Sequence, residues 1–174
     1  VRIVLGDIKM PIDITEEIDY IIHGASMTSS KEFVDYPVET ILTGMEGTDN
    51  VLRFASSKKV KGMVYLSSLE VYGVTDPEKK SIKENEYGYI EQMVPRSSYS
   101  EGKRMAECLC ISYGHEYGVP VKIVRLSQTF GPGVSYSDNR VFAQFARCAI
   151  EDIVLKTKGE TYRNYCYIRD AVTG

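Results

Sequence analysis

The segment GMVYLSSLEVYG, residues 62–73, decides the fold expected for this chain. Its apolar run Met63–Leu66 is short and is followed by serines, a glutamate and a glycine, which predicts a buried strand with a polar carboxyl end. In an open α/β sheet, ligands bind at the carboxyl ends of the strands. We therefore expect Ser68 and Glu70 to lie beside a ligand.

A second segment, residues 96–107, places a tyrosine and a lysine four positions apart. On a helix, Tyr99 and Lys103 share a face one turn apart, so the ammonium group can lower the pKa of the phenol. A tyrosine with a lowered pKa can act as a general base near neutral pH. The spacing alone is weak evidence in a chain with 13 tyrosines, but together with the serine-bearing strand end it favours an enzyme.

Three motifs resemble, in order and spacing, those of the extended short-chain dehydrogenase/reductases that act on nucleotide sugars, the NAD-dependent epimerase/dehydratase family. They are Ser68–Gly73, the pair Tyr99-x-x-x-Lys103, and Arg125–Pro132 with the sequence RLSQTFGP. The similarity covers essentially the whole chain and is closest to the UDP-glucuronate decarboxylases and their 4,6-dehydratase and 4-epimerase relatives. It implies an α/β fold, namely a Rossmann-like parallel sheet with flanking helices and the start of a small substrate-binding lobe.

The composition fits a globular protein with a hydrophobic core. The 174 residues are 43% hydrophobic and 26% charged, and the net charge is -3 without a cluster of basic residues. This argues against nucleic acid or an anionic membrane surface as a partner. The four cysteines form no Cys-x-x-Cys pair, so neither a zinc site nor a redox dithiol is expected. The chain has no membrane-length apolar run, and we expect a soluble, cytoplasmic protein.

Further strands and helices are expected around the central strand. Helices are predicted from Tyr36 or Pro37 to Ser57, by the spacing of apolar residues, and from Ser97 or Ser98 to Tyr117. Strands are predicted at residues 1–5, 19–23 and 121–126, and a loop over the site at residues 74–95.

The chain begins at Val1 and contains no Gly-x-Gly-x-x-Gly motif. A dinucleotide-binding domain opens with a strand, a glycine-rich turn and a helix. We therefore expect a fragment that is truncated at both ends and is inactive by itself. Since Val1–Leu5 would then lack its neighbouring strands, it should pair with the edge of the strand at Asp19, pair with a neighbouring molecule or be disordered. Pairing is expected, because its apolar, β-branched residues favour a sheet.

The resemblance assigns residues to a cofactor, expected to be NAD with NADP left open. Asp7 would accept a hydrogen bond from the adenine amino group, Ile8 would pack beside the ring, and Gly24 and Ala25 would let ligand backbone come close. His23 is expected to make a structural hydrogen bond. The predicted cofactor residues are Asp7, Ile8, His23, Gly24, Ala25, Ser26, Ser67, Tyr99, Lys103 and Ser127.

The substrate implied by the resemblance is a nucleotide-diphosphate sugar. Its predicted contacts are Gln128, Arg140 and Arg163, and Arg163 would reach the phosphates with its forked donors. The resemblance places the NAD(P)-binding domain at residues 1–131 and the start of the substrate-binding region at residues 132–174. A homodimer is expected for the parent protein, and no metal is expected.

The implied reaction begins with oxidation of the sugar at C4. Tyr99, kept deprotonated by Lys103, would take the proton of the 4-hydroxyl while hydride passes to NAD, and Ser68 would orient the same oxygen. Glu70 would face the same side as Ser68 in an extended chain and act on a proton at C5. Leu69 stands where dehydratases carry an aspartate acid, which argues against plain 4,6-dehydration. The alternative is a non-catalytic relative that binds a dinucleotide as a sensor or interaction module.

Overall fold

In a computed structural model that describes residues 1–154 and 163–173, the chain forms two compact units, Val1–Arg125 and Leu126–Gly174. The strands are β1 (Tyr20–His23), β2 (Gly62–Ser68), β3 (Val121–Leu126), β4 (Gln128–Phe130) and β5 (Tyr165–Tyr167). The helices are α1 (Glu32–Asp35), α2 (Pro37–Lys58), α3 (Ser98–Tyr117), α4 (Val141–Glu151) and α5 (Ile168–Thr173). Short 3-10 helices lie at Leu69–Tyr72 and Pro95–Ser97. The predicted domain boundary after residue 131 stays a prediction.

The sheet of the first unit has the order β1-β2-β3, so the predicted central strand lies in its middle. β1 runs parallel to β2, with Tyr20 opposite Gly62 and His23 opposite Tyr65. Along β2, every second residue from Met63 to Ser67 is buried, as the two-residue period of a strand requires. The predicted α/β class with a parallel sheet and flanking helices is confirmed.

Helices α2 and α3 pack against each other, and α3 also packs against β2 and α2 against β1. α2 begins with a proline at its first position, and α3 ends at Gly118, whose φ of 70° is left-handed; both ends follow the predicted helix chemistry. Apolar side chains from the two helices and β2 form the core, among them Leu52, Ala55, Met63, Tyr65, Ala106 and Cys110.

The second unit contains a parallel pair of strands, β4 and β5, with Gln128 opposite Tyr165. The aromatic ring of Phe130 lies 6.0 Å from that of Phe142 at the start of α4, and 5.6 Å from that of Tyr167. These rings form the apolar centre of this unit.

The predicted strand at Val1–Leu5 is wrong, because these residues have no regular structure and are exposed. An extended segment needs the backbone of a neighbouring strand for its hydrogen bonds, and the three-stranded sheet does not include these residues. Residues that follow are instead anchored to α2 by side chains: Asn50 Nδ2 donates to Ile8 O at 2.9 Å and Lys58 Nζ to Thr15 O at 3.0 Å. Pairing with a neighbouring molecule stays a prediction.

Among the described residues, no helix has both the length and the apolar character needed to cross a membrane.

Candidate active site

The carboxyl end of β2 turns sharply after Ser68. The Ser68 hydroxyl accepts a hydrogen bond from the backbone N–H of Glu70 at 3.2 Å and so caps the 3-10 helix at Leu69–Tyr72. Glu70 is therefore not in an extended chain, and the predicted reason for its facing the same side as Ser68 is wrong. A serine at the end of a strand can start a turn by this local hydrogen bond.

The Glu70 carboxylate has two partners near the start of α3. Arg96 Nη2 donates to Oε1 and Ser100 Oγ donates to Oε2, each at 2.9 Å. Both carboxylate oxygens are thus engaged in this structure. The role of Glu70 as a proton-transfer group stays a prediction.

Tyr99 lies in the first turn of α3 and is partly buried. Its ring stacks on that of Phe33 with a centroid distance of 4.2 Å and an angle of 10°. Burial raises the pKa of Tyr99, and the interaction with the Ser68 side chain opposes this shift. The predicted lowering of this pKa is wrong, because desolvation of the phenolate outweighs the favourable contacts.

Lys103 is buried, with 5% of its surface exposed. Its Nζ donates to Leu66 O at 2.8 Å and lies 4.8 Å from the ring centroid of Tyr65 and 5.8 Å from that of Tyr99. Burial lowers the pKa of Lys103 to about 8. The ammonium group is therefore held beside two tyrosine rings at the end of β2.

The predicted cofactor residue His23 has a structural partner, as expected. Its ring is buried, with Nε2 at 3.0 Å from Thr48 Oγ1. Burial lowers the pKa of His23 to about 4, and the nearby charge of Lys103 acts in the same direction. The imidazole is therefore neutral at physiological pH.

A cavity of about 290 Å³ lies beside β1 in the first unit. Its lining is mostly apolar and includes four predicted cofactor residues, Ile8, His23, Gly24 and Ala25. A Cβ added to Gly24 would lie 3.2 Å from Leu66 Cδ1, so a side chain here would press on Leu66. An apolar cavity with backbone accessible at a glycine fits the adenine and ribose end of a dinucleotide.

The side chains of Asp7, Ser26 and Ser67, three further predicted cofactor residues, form hydrogen bonds within this unit. Asp7 is exposed and accepts from the backbone N–H of Lys9 at 2.9 Å, the contact of an ordinary turn. Ser26 donates to Met27 O at 3.2 Å. The Ser67 hydroxyl donates to Glu107 at 2.5 Å and is buried, which leaves only its backbone for the predicted contact.

The residues predicted in the second unit are more open to solvent. Ser127 and Gln128 are partly buried, with Gln128 at the start of β4. Arg140 precedes α4 and forms an ion pair with Asp138, with an Nη2 to Oδ2 distance of 2.5 Å. Arg163 is exposed. A cavity of about 530 Å³ in this unit is lined by aromatic and aliphatic residues, and none of the described residues that line it is a predicted site residue.

Sequence reasoning did not single out three residues that contact the predicted ones. Arg96 and Ser100 hold Glu70, and Phe33 covers the ring of Tyr99. Arg96 and Ser100 could have been identified as site residues, because they lie close to Tyr99 in the sequence. No feature of the sequence indicated Phe33, because its contact with α3 joins distant parts of the chain.

Comparison with known proteins gives consistent matches. The sequence matches the NAD dependent epimerase/dehydratase family over residues 3–174. It is 37% identical over 171 residues to UDP-glucuronic acid decarboxylase 1 of Xenopus tropicalis, covering 97% of this chain and 39% of the relative. This chain therefore spans about two fifths of the length of that relative.

Solved structures share the fold. RMD of Pseudomonas aeruginosa, in complex with NADPH, superposes with a TM-score of 0.83 at 25% identity, covering 98% of this chain and 59% of that chain. The UDP-glucuronic acid 4-epimerase of Bacillus cereus, in complex with UDP-glucuronic acid and NAD, has a TM-score of 0.76 at 20% identity, covering 96% and 50%.

Proposed function

Since this chain belongs to the NAD dependent epimerase/dehydratase family, we propose that its protein oxidises a nucleotide-diphosphate sugar at C4, with Tyr99 as the base. The predicted family is confirmed, and its description as NAD dependent agrees with the predicted cofactor. The observation that carries the proposal is the grouping of Ser68, Tyr99 and Lys103 at the carboxyl end of β2.

The residues beside β1 and β2 fit the proposed cofactor. The apolar cavity at Ile8, Gly24 and Ala25 would hold its adenosine part, and Lys103 would bind the ribose next to the nicotinamide. When bound, NAD supplies the acceptor for the hydride that leaves C4 of the sugar. The remaining tasks fall to side chains of this chain.

Tyr99 removes the proton of the sugar 4-hydroxyl in this proposal. Because burial raises its pKa, the phenol needs nearby positive charge to ionise at neutral pH. Arg96 lowers the pKa of Tyr99. In this proposal Lys103 adds to that effect, since its Nζ lies 5.8 Å from the ring centroid and its pKa of about 8 keeps it mainly protonated at pH 7. Ser68 orients the reacting oxygen by a hydrogen bond.

The proposed substrate is a UDP-linked uronic acid. The relatives named as UDP-glucuronic acid decarboxylases support it, and Leu69 in place of an acid argues against plain dehydration. Glu70 would act on the C5 proton, but only after release from Arg96 and Ser100. Arg140 and Arg163 would bind the diphosphate, and Arg140 would exchange Asp138 for a phosphate.

We also expect the parent protein to be a homodimer. Apolar side chains of α2 and α3 remain exposed, namely Val38, Leu42, Met105 and Ile111, and exposed apolar surface of this kind favours association. Sedimentation equilibrium of the full-length protein tests this expectation, and a monomer at all concentrations contradicts it.

Turnover of UDP-glucuronic acid in the presence of NAD tests the function. The full-length protein should release carbon dioxide and a UDP-pentose, whereas UDP-glucose, which lacks the carboxylate, should give no carbon dioxide. Formation of a UDP-galacturonic acid instead would indicate an epimerase. Binding of NAD without turnover of either sugar would contradict the proposal and favour the non-catalytic alternative.

A further inference from the structure

A buried ion pair joins α3 to β3 in the first unit. Arg125 donates to Glu107 through two nitrogens, Nε to Oε1 at 2.9 Å and Nη2 to Oε2 at 2.6 Å. Only 14% of the Arg125 side chain and 9% of the Glu107 side chain are exposed. Burying two charges is favourable only when the geometry is good and their remaining hydrogen-bonding groups are satisfied, so the other partners of this pair are informative.

On one side, the pair contacts the end of the proposed catalytic strand. Ser67 Oγ donates to Glu107 Oε1 at 2.5 Å, and Ser67 is buried. Ser67 lies between Ser68 and Leu66, and the Leu66 carbonyl accepts from Lys103 Nζ, which lies 5.8 Å from the ring centroid of Tyr99. The position of Glu107 thereby constrains the backbone that carries Ser68.

On the other side, Arg125 contacts the 74–95 loop. Its Nη1 donates to Glu84 O at 2.6 Å and its Nη2 donates to the Tyr87 hydroxyl. The guanidinium also lies over two aromatic rings, 4.9 Å from the centroid of Tyr72 and 5.0 Å from that of Tyr87. One arginine therefore connects the ion pair to the loop and to the 3-10 helix that follows Ser68.

We propose that Glu107 and Arg125 are positioning residues that couple the 74–95 loop to the Ser67–Ser68 strand end. The inference rests on the proposed function, since it concerns the same site. Neither residue touches the reacting atoms; Glu107 acts through Ser67, and Arg125 acts through Glu84 and Tyr87. Arginine is required because a lysine carries the charge at one point and cannot contact the carboxylate and the loop together.

The test uses two measurements on the full-length protein that need no turnover. Hydrogen exchange, read by mass spectrometry, reports the opening of residues 84–89. The NMR signal of [¹³Cζ]-tyrosine, assigned to Tyr99 by its loss in Tyr99→Phe, reports the surroundings of the phenol. Arg125→Lys should speed hydrogen exchange of the loop about tenfold or more and shift the Tyr99 signal. The reason is that charge-assisted hydrogen bonds from Arg125 hold the loop closed, and their loss lowers the free energy of local opening.

Two further variants each break one outer contact and keep the ion pair itself. Tyr87→Leu should speed exchange of the loop and also shift the Tyr99 signal, because Arg125 and Glu107 transmit the change to Ser67. Ser67→Ala should shift the Tyr99 signal and also speed exchange of the loop. If Arg125→Lys does not fold, these two variants decide the matter, and an effect confined to the substituted side, or no effect, in both variants overturns the proposal.

Arg53→Lys is the matched control, because Arg53 forms an ion pair with Asp49 on the exposed side of α2. It should change neither measurement. Equal effects in Arg53→Lys and Arg125→Lys would overturn the proposal by indicating a general loss of stability. Absence of turnover in the wild-type protein would contradict the proposed function, whereas the exchange and NMR results would still decide the coupling.

Discussion

The two units of the chain present their predicted functional residues in opposite ways. In the first unit, Lys103 is buried and is bonded to the backbone of β2, and Tyr99 is stacked on Phe33. In the second unit, Arg140 and Arg163 are exposed, and Arg140 contacts an aspartate only two residues away. The first set is positioned by tertiary packing, so changes there should alter both chemistry and stability. The second set is positioned locally, so changes there should alter ligand binding with little effect on stability.

The largest effect is expected from Tyr99→Phe. This substitution removes only the hydroxyl group of Tyr99 and keeps the ring that stacks on Phe33. Turnover should fall by about 100-fold to 10,000-fold, as expected for loss of a general base, while NAD affinity should change little. Steady-state kinetics and calorimetric titration measure the two quantities. Tyr117→Phe, at the exposed end of α3, is the control and should be fully active. Wild-type turnover in Tyr99→Phe would exclude Tyr99 as the base.

A pH dependence is expected from His23. Its pKa is about 4 in the folded protein against 6.5 in the unfolded chain, so between these values only the unfolded chain binds the proton. The free energy of unfolding is therefore highest above pH 6.5 and decreases as the pH falls toward 4. The loss is about 3 kcal/mol for a shift of this size.

Urea unfolding at several pH values measures this dependence. His23→Gln should flatten the curve between pH 6.5 and 4, whereas His115→Gln, an exposed position, should retain the wild-type slope. An unchanged slope in His23→Gln would mean that the ring is not buried against Thr48.

Two glycines of the first unit should respond in opposite directions to alanine. A Cβ at Gly88 would collide with the backbone of Val74, whereas a Cβ at Gly44 in α2 meets nothing within 4 Å. Gly88→Ala should lower the free energy of unfolding by about 1–3 kcal/mol through overpacking. Gly44→Ala should raise it by about 0.5–1 kcal/mol, because alanine is the better helix former. Thermal denaturation checks both signs, and stabilisation by Gly88→Ala would mean that Gly88 is not held against the backbone of Val74.

The smallest effect on stability is expected in the second unit. Arg140→Gln breaks an exposed ion pair with Asp138 and should change the free energy of unfolding by less than about 1 kcal/mol. If Arg140 binds phosphate, the same variant should weaken UDP binding, measured by calorimetry. A large loss of stability with unchanged UDP affinity would reverse the contrast between the two units.

The regular elements were predictable because their signals are local. The strand at Val121–Leu126 and the helix ending at Tyr117 lie where the sequence predicts them, since periodicity and the glycine after the helix act over a few residues. The prediction for Val1–Leu5 was wrong because the same local preference needs a neighbouring strand. The turn after Ser68 was missed because a side-chain hydrogen bond ends the strand there, before Glu70, which was expected in an extended chain.

The sequence by itself determined the family, the parallel α/β fold and the placement of Tyr99 and Lys103 one turn apart on a helix, because motif order and helical spacing are properties of the linear chain. Only the tertiary structure decided the electrostatic state of the site. The raised pKa of Tyr99 and the pKa of about 8 for Lys103 come from burial, and Glu107 meets Ser67 across 40 residues of sequence. Desolvation and long-range contacts depend on which distant segments pack together, and spacing along the chain does not encode that.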